Sequence, residues 1–340
     1  MLASFEQVRE LAEGILTAHG VPAEHARIQA GLFIEAEMRA IPSHGLLRLR
    51  RVIERIHAGL TVPGTIGKQE WTARSFLAVD GQRGLGPVVA MAALDTIVPR
   101  AQADGIAIAA IRNTNHLGAL AYYAEHVATL GLTCISLTIS EALVHPYGGR
   151  KAMIGTNPIA IGVPASPHPM VLDMATGLVS MGKIHDHANR GAPIPLGWAL
   201  DENGDPTTDA SAAKKGAIAP FGGPKGYALG IAFEVLVASL AASAIGTDVK
   251  GTLDSVNVSN KGDIFIVIAP PHAEAAKMLV TDYLNSIRAA APADPEHPVL
   301  APGDRAHKVR AQSEKRGVYL DDGLWEDLQK LAAESKKEKA

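Results

Sequence analysis

The sequence of 340 residues predicts an α/β protein, and two observations carry that prediction. From residue 75 onward, short β-like runs alternate with helical runs, as expected for a sheet covered by helices. Before residue 75 the pattern is helical, and a chain of this length is best divided into about two domains. The alternation alone favours a doubly wound parallel sheet.

Three helices are predicted in the region before the first strand. The first follows a capping-box pair, Ser4 and Gln7, and its apolar residues recur at helical spacing. The second must end before Pro42, because the residue preceding a proline avoids the α region. The third ends near Gly59, and residues 61–67 (TVPGTIG) form a turn or linker.

The remaining elements are predicted from short apolar runs and from longer helical patterns. Strands are predicted at residues 75–80, 106–112, 132–140, 158–164, 170–176 and 263–270. Helices are predicted at residues 86–105, 118–131, 225–246 and 273–291. The tail, residues 331–340, is rich in Lys and Glu and indicates a solvated helix end.

Composition excludes several functional classes. A formal net charge of −3 argues against nucleic acid or an anionic membrane as the main partner. No apolar run approaches the ~20 residues of a membrane span, and the charged N-terminal segment is unlike a signal peptide, so a cytoplasmic protein without a membrane partner is expected. Cys134 is the only cysteine, which excludes an intrachain disulfide and favours a buried, inert thiol.

Two glycine-rich stretches are candidates for binding phosphate. The first has Gly84 and Gly86 between a strand and a helix, but Val89 replaces the third glycine of a dinucleotide fingerprint, so ordinary turn glycines are favoured. The second, PFGGPKGYALG (220–230), places Lys225 at the start of a helix, where backbone N–H groups and the helix dipole attract anions. From the residues alone, an anion site and a tight turn with an exposed lysine are equally good interpretations.

Polar residues also stand at predicted strand ends, where α/β proteins gather ligands. Asn157, Asp173 and Lys183 occupy such places, although Asn before Pro is a routine turn signal. His116 lies between a strand and a helix, and a structural role is the simpler interpretation of a lone histidine there.

A metal site and a hydrolytic site are the rival hypotheses. His185, Asp186 and His187 are consecutive, and the two histidines would share a face only on a strand; no HExxH or Cys/His spacing accompanies them. Ser43 precedes His44 directly, but PSHG is not the GxSxG elbow of a hydrolase. Neither pattern is favoured, and no metal is predicted.

Eight motifs in order connect these pieces: PSHGLLR, NTNHLGA, PYGG, IGTNPIAIGVP, LDMAT, GWALDENGDPTTD, PFGGPKGYAL and KGDIFIVI. Together they resemble the malate/L-lactate dehydrogenase family with a non-Rossmann fold, from residue 5 to about residue 331. The resemblance replaces the doubly wound sheet by a mixed-sheet, NAD(P)-binding α/β domain (73–289) plus a mostly helical domain from both chain ends (1–72 with 290–340). It also implies a homodimer with the active site in the interdomain cleft near the subunit interface.

The resemblance implies hydride transfer between a nicotinamide and the C2 carbon of a 2-oxo, 2-hydroxy or imino acid. His44 matches the proton donor, with Ser43 beside it, because an imidazole titrates near neutrality. Arg48 matches the arginine that holds the substrate carboxylate. His116 is the alternative acid–base group or a cofactor contact.

The resemblance also assigns cofactor-binding residues, and the segment at residues 303–305 favours NADP over NAD. The matched positions are His116, Leu117, Gly118, Ala119, Leu120, Ser140, Asp173, Met174, Ala175, Met181, Gly182, Lys225, Gly303, Asp304 and Arg305.

The expected substrate is an acid with a second anionic group, such as 3-sulfopyruvate or oxaloacetate. Arg50, Arg51 or Lys183 would supply the second positive charge. The alternative is a monoanionic or cyclic imino acid, with these side chains solvated. Val52, where many relatives carry an aromatic residue, and His145 in HPYGG depart from the family pattern and leave the substrate open.

Overall fold

A computed structural model of the protein describes residues 1–337, in which helices from both chain ends cover a large sheet. The helices in chain order are α1 (Phe5–Ala18), α2 (Ala23–Met38), α3 (Leu49–His57), α4 (Gly86–Asp104), α5 (Ala121–Thr129), α6 (Met181–Asn189), α7 (Ala210–Ala213), α8 (Pro224–Ala241), α9 (Ala273–Arg288), α10 (Asp304–Arg316) and α11 (Asp322–Lys337). Single 3₁₀ turns cover Pro42–His44, Leu46–Arg48 and Gly246–Asp248.

The strands form one large sheet and two small ones. In chain order they are β1 (Leu2–Ala3), β2 (Lys68–Ala73), β3 (Phe76–Asp80), β4 (Ile106–Arg112), β5 (Thr133–Thr138), β6 (Ile159–Val163), β7 (Met170–Met174), β8 (Ala199–Leu200), β9 (Pro206–Thr207), β10 (Ala217–Ile218), β11 (Gly262–Ile268) and β12 (Val318–Tyr319). The large sheet has the order β2-β3-β4-β11-β5-β6-β7, and β10-β8-β9 form a separate small sheet.

The large sheet is mixed, as the family resemblance implies, and the doubly wound parallel sheet favoured by the alternation alone is wrong. β3 and β4 are parallel, but β11 lies antiparallel between β4 and β5, and β6 is antiparallel to both of its neighbours. Six residues join β6 to β7, too few for the crossover that a parallel pair requires. Alternating strands and helices along a sequence do not encode strand direction.

Strand directions place four carboxyl ends at one edge of the sheet. β3, β4, β5 and β7 all run the same way, because each antiparallel neighbour reverses the direction once. The segments that follow these four strands therefore emerge together, beside the amino ends of β6 and β11. We call this the ligand edge.

The two chain ends meet in the structure, and the pairing of residues 1–72 with 290–340 as one domain stays a prediction. Leu2 pairs with Tyr319 between β1 and β12, and α1 packs against α2 and α11. Arg310 of α10 forms a bidentate ion pair with Glu35 of α2, with both N···O distances at 2.9 Å. The predicted boundary at residue 72 falls inside β2, which already belongs to the large sheet.

The predicted strands and helices are present, and the capping box is confirmed, because Ser4 and Gln7 exchange hydrogen bonds. The elements that were not predicted from the sequence are β1, β2, β12, the small sheet, α6, α7, α10 and the first part of α11. Strands of two residues show no alternation, and α10 buries no residue. The predicted helical tail is present to residue 337, and residues 338–340 lie outside the described chain.

Two apolar clusters lie on opposite faces of the large sheet. One face packs against α4, α5 and the helices from the chain ends, and the other face packs against α8. Cys134 of β5 is buried, as expected, and burial raises the pKa of its thiol to about 12. The thiol is therefore unreactive at neutral pH.

Helix α8 is the only helix of the described chain that is long and apolar enough to cross a membrane, a standard that core helices of soluble proteins also meet. One side covers the sheet and buries Glu234. The other side exposes a row of small and apolar residues, among them Leu229, Val235 and Leu236. This exposed row has no partner among the described residues.

Candidate active site

A buried carboxylate stabilises the turn that carries His44. Pro42 begins a 3₁₀ turn, and Glu37 of α2 accepts a hydrogen bond from the backbone N–H of Leu46 at 2.8 Å. Gly45 is required at this point, because a Cβ would overlap the Glu37 carboxylate. The turn brings two polar side chains together, because Ser43 Oγ lies 3.0 Å from His44 Nδ1.

A second turn, directly after β4, carries His116. Gly118, with φ of 77°, donates its backbone N–H to His116 Nδ1 at 3.1 Å, so the neutral ring carries its proton on Nε2. Gly86 packs against the carbonyl oxygen of His116, where a Cβ would overlap. Close packing therefore explains the glycine in the first glycine-rich stretch, and the phosphate-loop interpretation is unnecessary.

The two predicted histidines lie side by side. Their ring centroids are 5.7 Å apart at an interplanar angle of 27°. Burial, and secondarily the charge of Arg48, lowers the pKa of His44 to about 4. Burial also lowers the pKa of His116 well below its usual value, with smaller contributions from His44, Arg48 and Lys261. Both imidazoles are therefore neutral at pH 7 while the cleft holds no anion.

Arg48 lies in the same turn, with its fork available. Its Nε donates to the Ser43 carbonyl oxygen at 2.8 Å, and no described residue bonds its two terminal nitrogens. Burial, together with the charge of Arg51, lowers the pKa of Arg48, so an anion that joined it would relieve an unfavourable charge. The predicted carboxylate clamp is thus next to the predicted proton donor.

A recess of about 40 Å³ opens beside Arg48 and His116. Arg51 and Arg55 also line it, because residues 48, 51 and 55 share one face of α3. None of the described residues that line this arginine recess is an Asp or a Glu. The volume accommodates a few water molecules or one carboxylate-sized group.

Of the three predicted sources of a second positive charge, only Arg51 lines the arginine recess. Arg50 points away, and its nearest hydrogen-bond partner is the carbonyl oxygen of Asp327 at 3.4 Å. Lys183 of α6 lies over the ring of Trp198, 5.0 Å from the centroid, and makes no described contact with Arg48. Arg55 was missed, although its spacing of two helical turns from Arg48 is visible in the sequence.

The cofactor-binding residues predicted around the sheet gather at the ligand edge. Ser140, after β5, accepts a hydrogen bond from the Thr156 backbone N–H at 3.0 Å. Asp173, near the end of β7, accepts one from the Ala121 N–H at 2.8 Å, which ties β7 to the first turn of α5 and to the segment from His116 to Leu120. Crowding by protein atoms raises the pKa of Asp173 to about 6, although solvent still reaches it.

Lys225 reaches the same edge through the packing of α8. Gly222 and Gly223 adopt positive φ values of 58° and 62°, and the helix begins directly afterwards with Lys225 exposed. Buried Glu234, three turns along α8, accepts hydrogen bonds from the Gly155 N–H at 3.0 Å and from Asn157 Nδ2 at 2.5 Å. These bonds fix α8 to the loop before β6, and the anion-site interpretation of the glycine-rich stretch stays a prediction.

The C-terminal cofactor segment lies along the outer side of β7. Gly303 has φ of 96° and packs against Val171, while Asp304 forms a bidentate pair with Arg288 at 2.9 and 2.7 Å. Arg305 is exposed and makes no hydrogen bond or ion pair with described residues. The roles of Lys225, Ser140, Asp173 and Arg305 as contacts of a dinucleotide stay a prediction.

Met181, Gly182 and Lys183 begin α6, next to the ligand edge. The same helix contains the sequence His185-Asp186-His187, so the two histidines do not share a face. His187 Nδ1 lies 2.8 Å from the Pro193 carbonyl oxygen, and Asp186 pairs with Arg190 at 2.6 Å. Among the described residues, no group of three or more His, Cys, Asp or Glu side chains could hold a metal ion.

Comparison with known proteins agrees with this geometry. The sequence profile of the malate/L-lactate dehydrogenase family matches residues 3–329. Malate/(S)-sulfolactate dehydrogenase from Methanothermus fervidus is 36% identical over 98% of each chain. The crystal structure of a dehydrogenase from Sinorhizobium meliloti superimposes with a TM-score of 0.93, at 51% identity and 98% coverage of each chain.

Sulfolactate dehydrogenase from Methanocaldococcus jannaschii superimposes with a TM-score of 0.92 at 34% identity, over 99% of this chain and 98% of that one. The family match and these relatives span nearly the whole chain, including the turns of both histidines and the ligand edge. The resemblance indicated by the eight motifs is therefore confirmed, and the chain belongs to the malate/L-lactate dehydrogenase family of NAD(P)-dependent oxidoreductases that act on hydroxy acids.

Proposed function

We propose that the protein interconverts a 2-oxo acid and a 2-hydroxy acid that each carry a second acidic group, such as 3-sulfopyruvate and sulfolactate or oxaloacetate and malate. The observation that carries this proposal is the arginine recess, which is lined by Arg48, Arg51 and Arg55 and by no Asp or Glu among the described residues. Glu54, 3.5 Å from Arg51, and Asp254, 4.0 Å from Arg55, offset part of this charge from outside the recess. A monoanionic acid would pair with Arg48 alone. The names of the sulfolactate and malate dehydrogenases among its relatives support the same class.

The chain's own residues have distinct tasks in this reaction. The fork of Arg48 holds the C1 carboxylate and thereby places the C2 carbonyl beside the two imidazoles. His44 donates the proton to the carbonyl oxygen during reduction and accepts it during oxidation. When bound, the nicotinamide supplies or accepts the hydride at C2, so one hydride and one proton convert the ketone to the alcohol.

Binding of the acid prepares His44 for proton donation. Burial is the main cause of the low pKa of His44, and the positive charge of Arg48 lowers it further. A carboxylate bound to Arg48 offsets that positive charge. The pKa of His44 therefore rises when the substrate binds. His116 stacks on His44 and, with Nε2 as its donor, helps to orient the carbonyl oxygen.

Two further properties belong to this proposal. NADP is favoured over NAD, because exposed Arg305 has an unengaged guanidinium that could fork onto a ribose 2′-phosphate. A homodimer is favoured because α8 presents exposed Leu229, Val235, Leu236 and Leu240 along one side, and a second copy of the chain would cover them.

A substrate panel tests the proposed activity. Specificity constants are measured with NADPH for oxaloacetate, 3-sulfopyruvate, pyruvate, 2,3-diketogulonate and piperideine-2-carboxylate. The two acids with a second anionic group are expected to exceed pyruvate by about 10² or more, as for a site built around a buried ionic contact. If pyruvate or the cyclic imine reacts best, the second-anion proposal is wrong and the monoanionic alternative takes its place.

A further inference from the structure

Arg55 is the most buried arginine of the recess and the one with an unexplained donor. The residue is only 4% exposed, yet its Nη2 atom is buried without a hydrogen-bond partner. A buried guanidinium nitrogen without an acceptor is costly, so structures rarely leave one unless a ligand or water occupies the position. The orphaned nitrogen belongs to a side chain that lines the arginine recess.

The rest of the Arg55 guanidinium is fixed rigidly. Its Nε donates to Asn115 Oδ1 at 2.9 Å, and its Nη1 donates to the carbonyl oxygens of Asp254 and, at 3.2 Å, Asn257. Asn115 in turn donates to the carbonyl oxygens of Arg83 and Gly84 at 2.8 and 2.9 Å. The side chain that immediately precedes His116 therefore holds Arg55 in place, and Nη2 is its one guanidinium nitrogen without an acceptor in the described chain.

A second unsatisfied group belongs to another residue that lines the same recess. Thr252 is 6% exposed and also lines the recess, and its Oγ1 is buried without a partner. Its backbone N–H is bound by Glu141 Oε1 at 2.9 Å, so the segment is anchored although the hydroxyl is not. A guanidinium nitrogen and a hydroxyl can both donate, and the matching ligand is an oxygen that only accepts, as in a carboxylate or sulfonate.

The carboxylates that balance Arg55 lie outside the recess. Burial has the largest effect on the pKa of Arg55 and lowers it, whereas Asp254, 4.0 Å from Arg55 Nη1, and Glu141 each raise that pKa more than the like charge of Arg51 lowers it. Arg51 lines the recess and the two carboxylates do not, so an anion inside it would meet cations and no carboxylate among the described residues that line it. Arg55 lies two helical turns after Arg48, so their Cα atoms are about 10 Å apart along the helix axis. Two arginine side chains are long enough to contact the two ends of one small substrate across that distance.

We propose that Arg55 Nη2 and Thr252 Oγ1 form the subsite for the second acidic group of the substrate, while Arg48 holds the C1 carboxylate. This inference rests on the proposed function and names the residues that give it its specificity. A carboxylate and a sulfonate present the same accepting oxygens, so the subsite fits either.

Four variants test the subsite: Arg55→Gln, Thr252→Val, Thr252→Ser and, as the matched control, Arg50→Gln. Arg50 stands on the same helix, faces away from the recess and contacts only a backbone carbonyl oxygen and solvent. Specificity constants are measured for oxaloacetate and 3-sulfopyruvate against pyruvate and 2-oxobutyrate. Thermal melting and NADPH fluorescence verify that each variant is folded and binds cofactor.

Arg55→Gln is expected to lower the specificity constants for the two dianions by about 10² or more and those for the monoanions by less than about threefold. Thr252→Val is expected to lower the dianion values about tenfold, and Thr252→Ser and Arg50→Gln to leave them unchanged. Oxaloacetate and 3-sulfopyruvate are compared within this set, which shows whether the subsite prefers a carboxylate or a sulfonate.

Equal losses for dianions and monoanions in a folded Arg55→Gln protein would overturn the inference, because Arg55 would then only support the loop around Asp254. Calorimetric binding of malonate, which carries two carboxylates, provides a second measurement that needs no turnover. Malonate binding that Arg55→Gln abolishes and Arg50→Gln preserves supports the subsite even if none of the four acids is reduced, an outcome that would contradict the proposed function alone. Malonate binding that survives Arg55→Gln contradicts the subsite.

Discussion

The substrate side and the cofactor side of the cleft differ in how their charges are satisfied. On the substrate side, Arg48 and Arg55 have desolvated guanidinium groups with unengaged nitrogens, and two histidines are held neutral. On the cofactor side, Ser140 and Asp173 already have backbone partners, and Lys225 is in solvent. The proposed substrate side therefore has buried donors without acceptors among the described residues, whereas the proposed cofactor side keeps its unengaged cations, Lys225 and Arg305, in solvent.

This difference implies that single substitutions have unequal effects on the two sides. A substitution on the substrate side removes a group that no solvent or neighbour can replace, so large changes in turnover are expected. On the cofactor side, many weak contacts share the binding of a long ligand, and each contributes less.

The largest effect is expected for His44→Ala. Turnover should fall by about 10² to 10⁴, the usual contribution of a positioned general acid, while NADPH affinity stays close to the wild-type value. Steady-state kinetics and fluorescence titration measure the two quantities, and His116→Ala is the matched comparison. Near-normal turnover in His44→Ala together with an inactive His116→Ala would transfer the acid role to His116.

A pH study sharpens the same contrast. The pKa of His44 is about 4 without substrate, because of burial and the charge of Arg48, and an anion on Arg48 raises it. Binding of a 2-hydroxy acid at pH values between the two pKa values should therefore take up as much as about one proton per site. Calorimetry in buffers of different ionisation enthalpy measures this uptake.

The kinetic counterpart has a definite sign. Reduction needs protonated His44, so its kcat should fall as the pH rises through the pKa of the substrate complex, which lies above 4. Oxidation needs neutral His44, so its kcat should fall as the pH drops through that same pKa. Binding without proton uptake, or a reduction rate that rises with pH, would exclude His44 as the donor.

The exposed side of α8 gives a prediction about assembly. Leu236→Lys places a charge in the middle of the apolar row and should convert a dimer to a monomer, as light scattering after gel filtration would show. Leu279→Lys is the matched control, because Leu279 of α9 is exposed outside that row. Lys225, a predicted cofactor contact, stands in the first turn of the same helix. We therefore also expect the monomer to bind NADPH more weakly. An unchanged mass for Leu236→Lys would place the subunit contact elsewhere.

How much of the molecule could be predicted differs between the two sides as well. The motifs pointed to His44, Arg48 and the ligand-edge residues through the resemblance to a family, whereas local patterns predicted only the strands and helices near which these residues lie. Arg55 was missed, since its significance depends on a loop some 200 residues later in the chain that encloses its guanidinium. Strand direction was equally invisible, because β11 enters the sheet between two strands that precede it by more than 120 residues.

Two of the three side chains predicted to supply the second positive charge lie away from the arginine recess. Arg50 and Lys183 are near the motif in sequence or in the family pattern, but helix geometry turns Arg50 outward and Trp198 holds Lys183. A sequence provides the side-chain types, whereas the direction of each side chain depends on the packing around it.

The smallest effect is expected at Arg305, on the cofactor side. If its guanidinium binds the ribose 2′-phosphate, Arg305→Ala should lower the ratio of the specificity constants for NADPH and NADH by about tenfold, since one charged hydrogen-bonding contact is lost. Its effect on the constant for NADH should be small. Lys308→Ala, one turn along the exposed side of α10, is the control and should leave the ratio unchanged. An unaltered ratio in Arg305→Ala would remove the argument for NADP, because it would show that Arg305 does not distinguish the two cofactors.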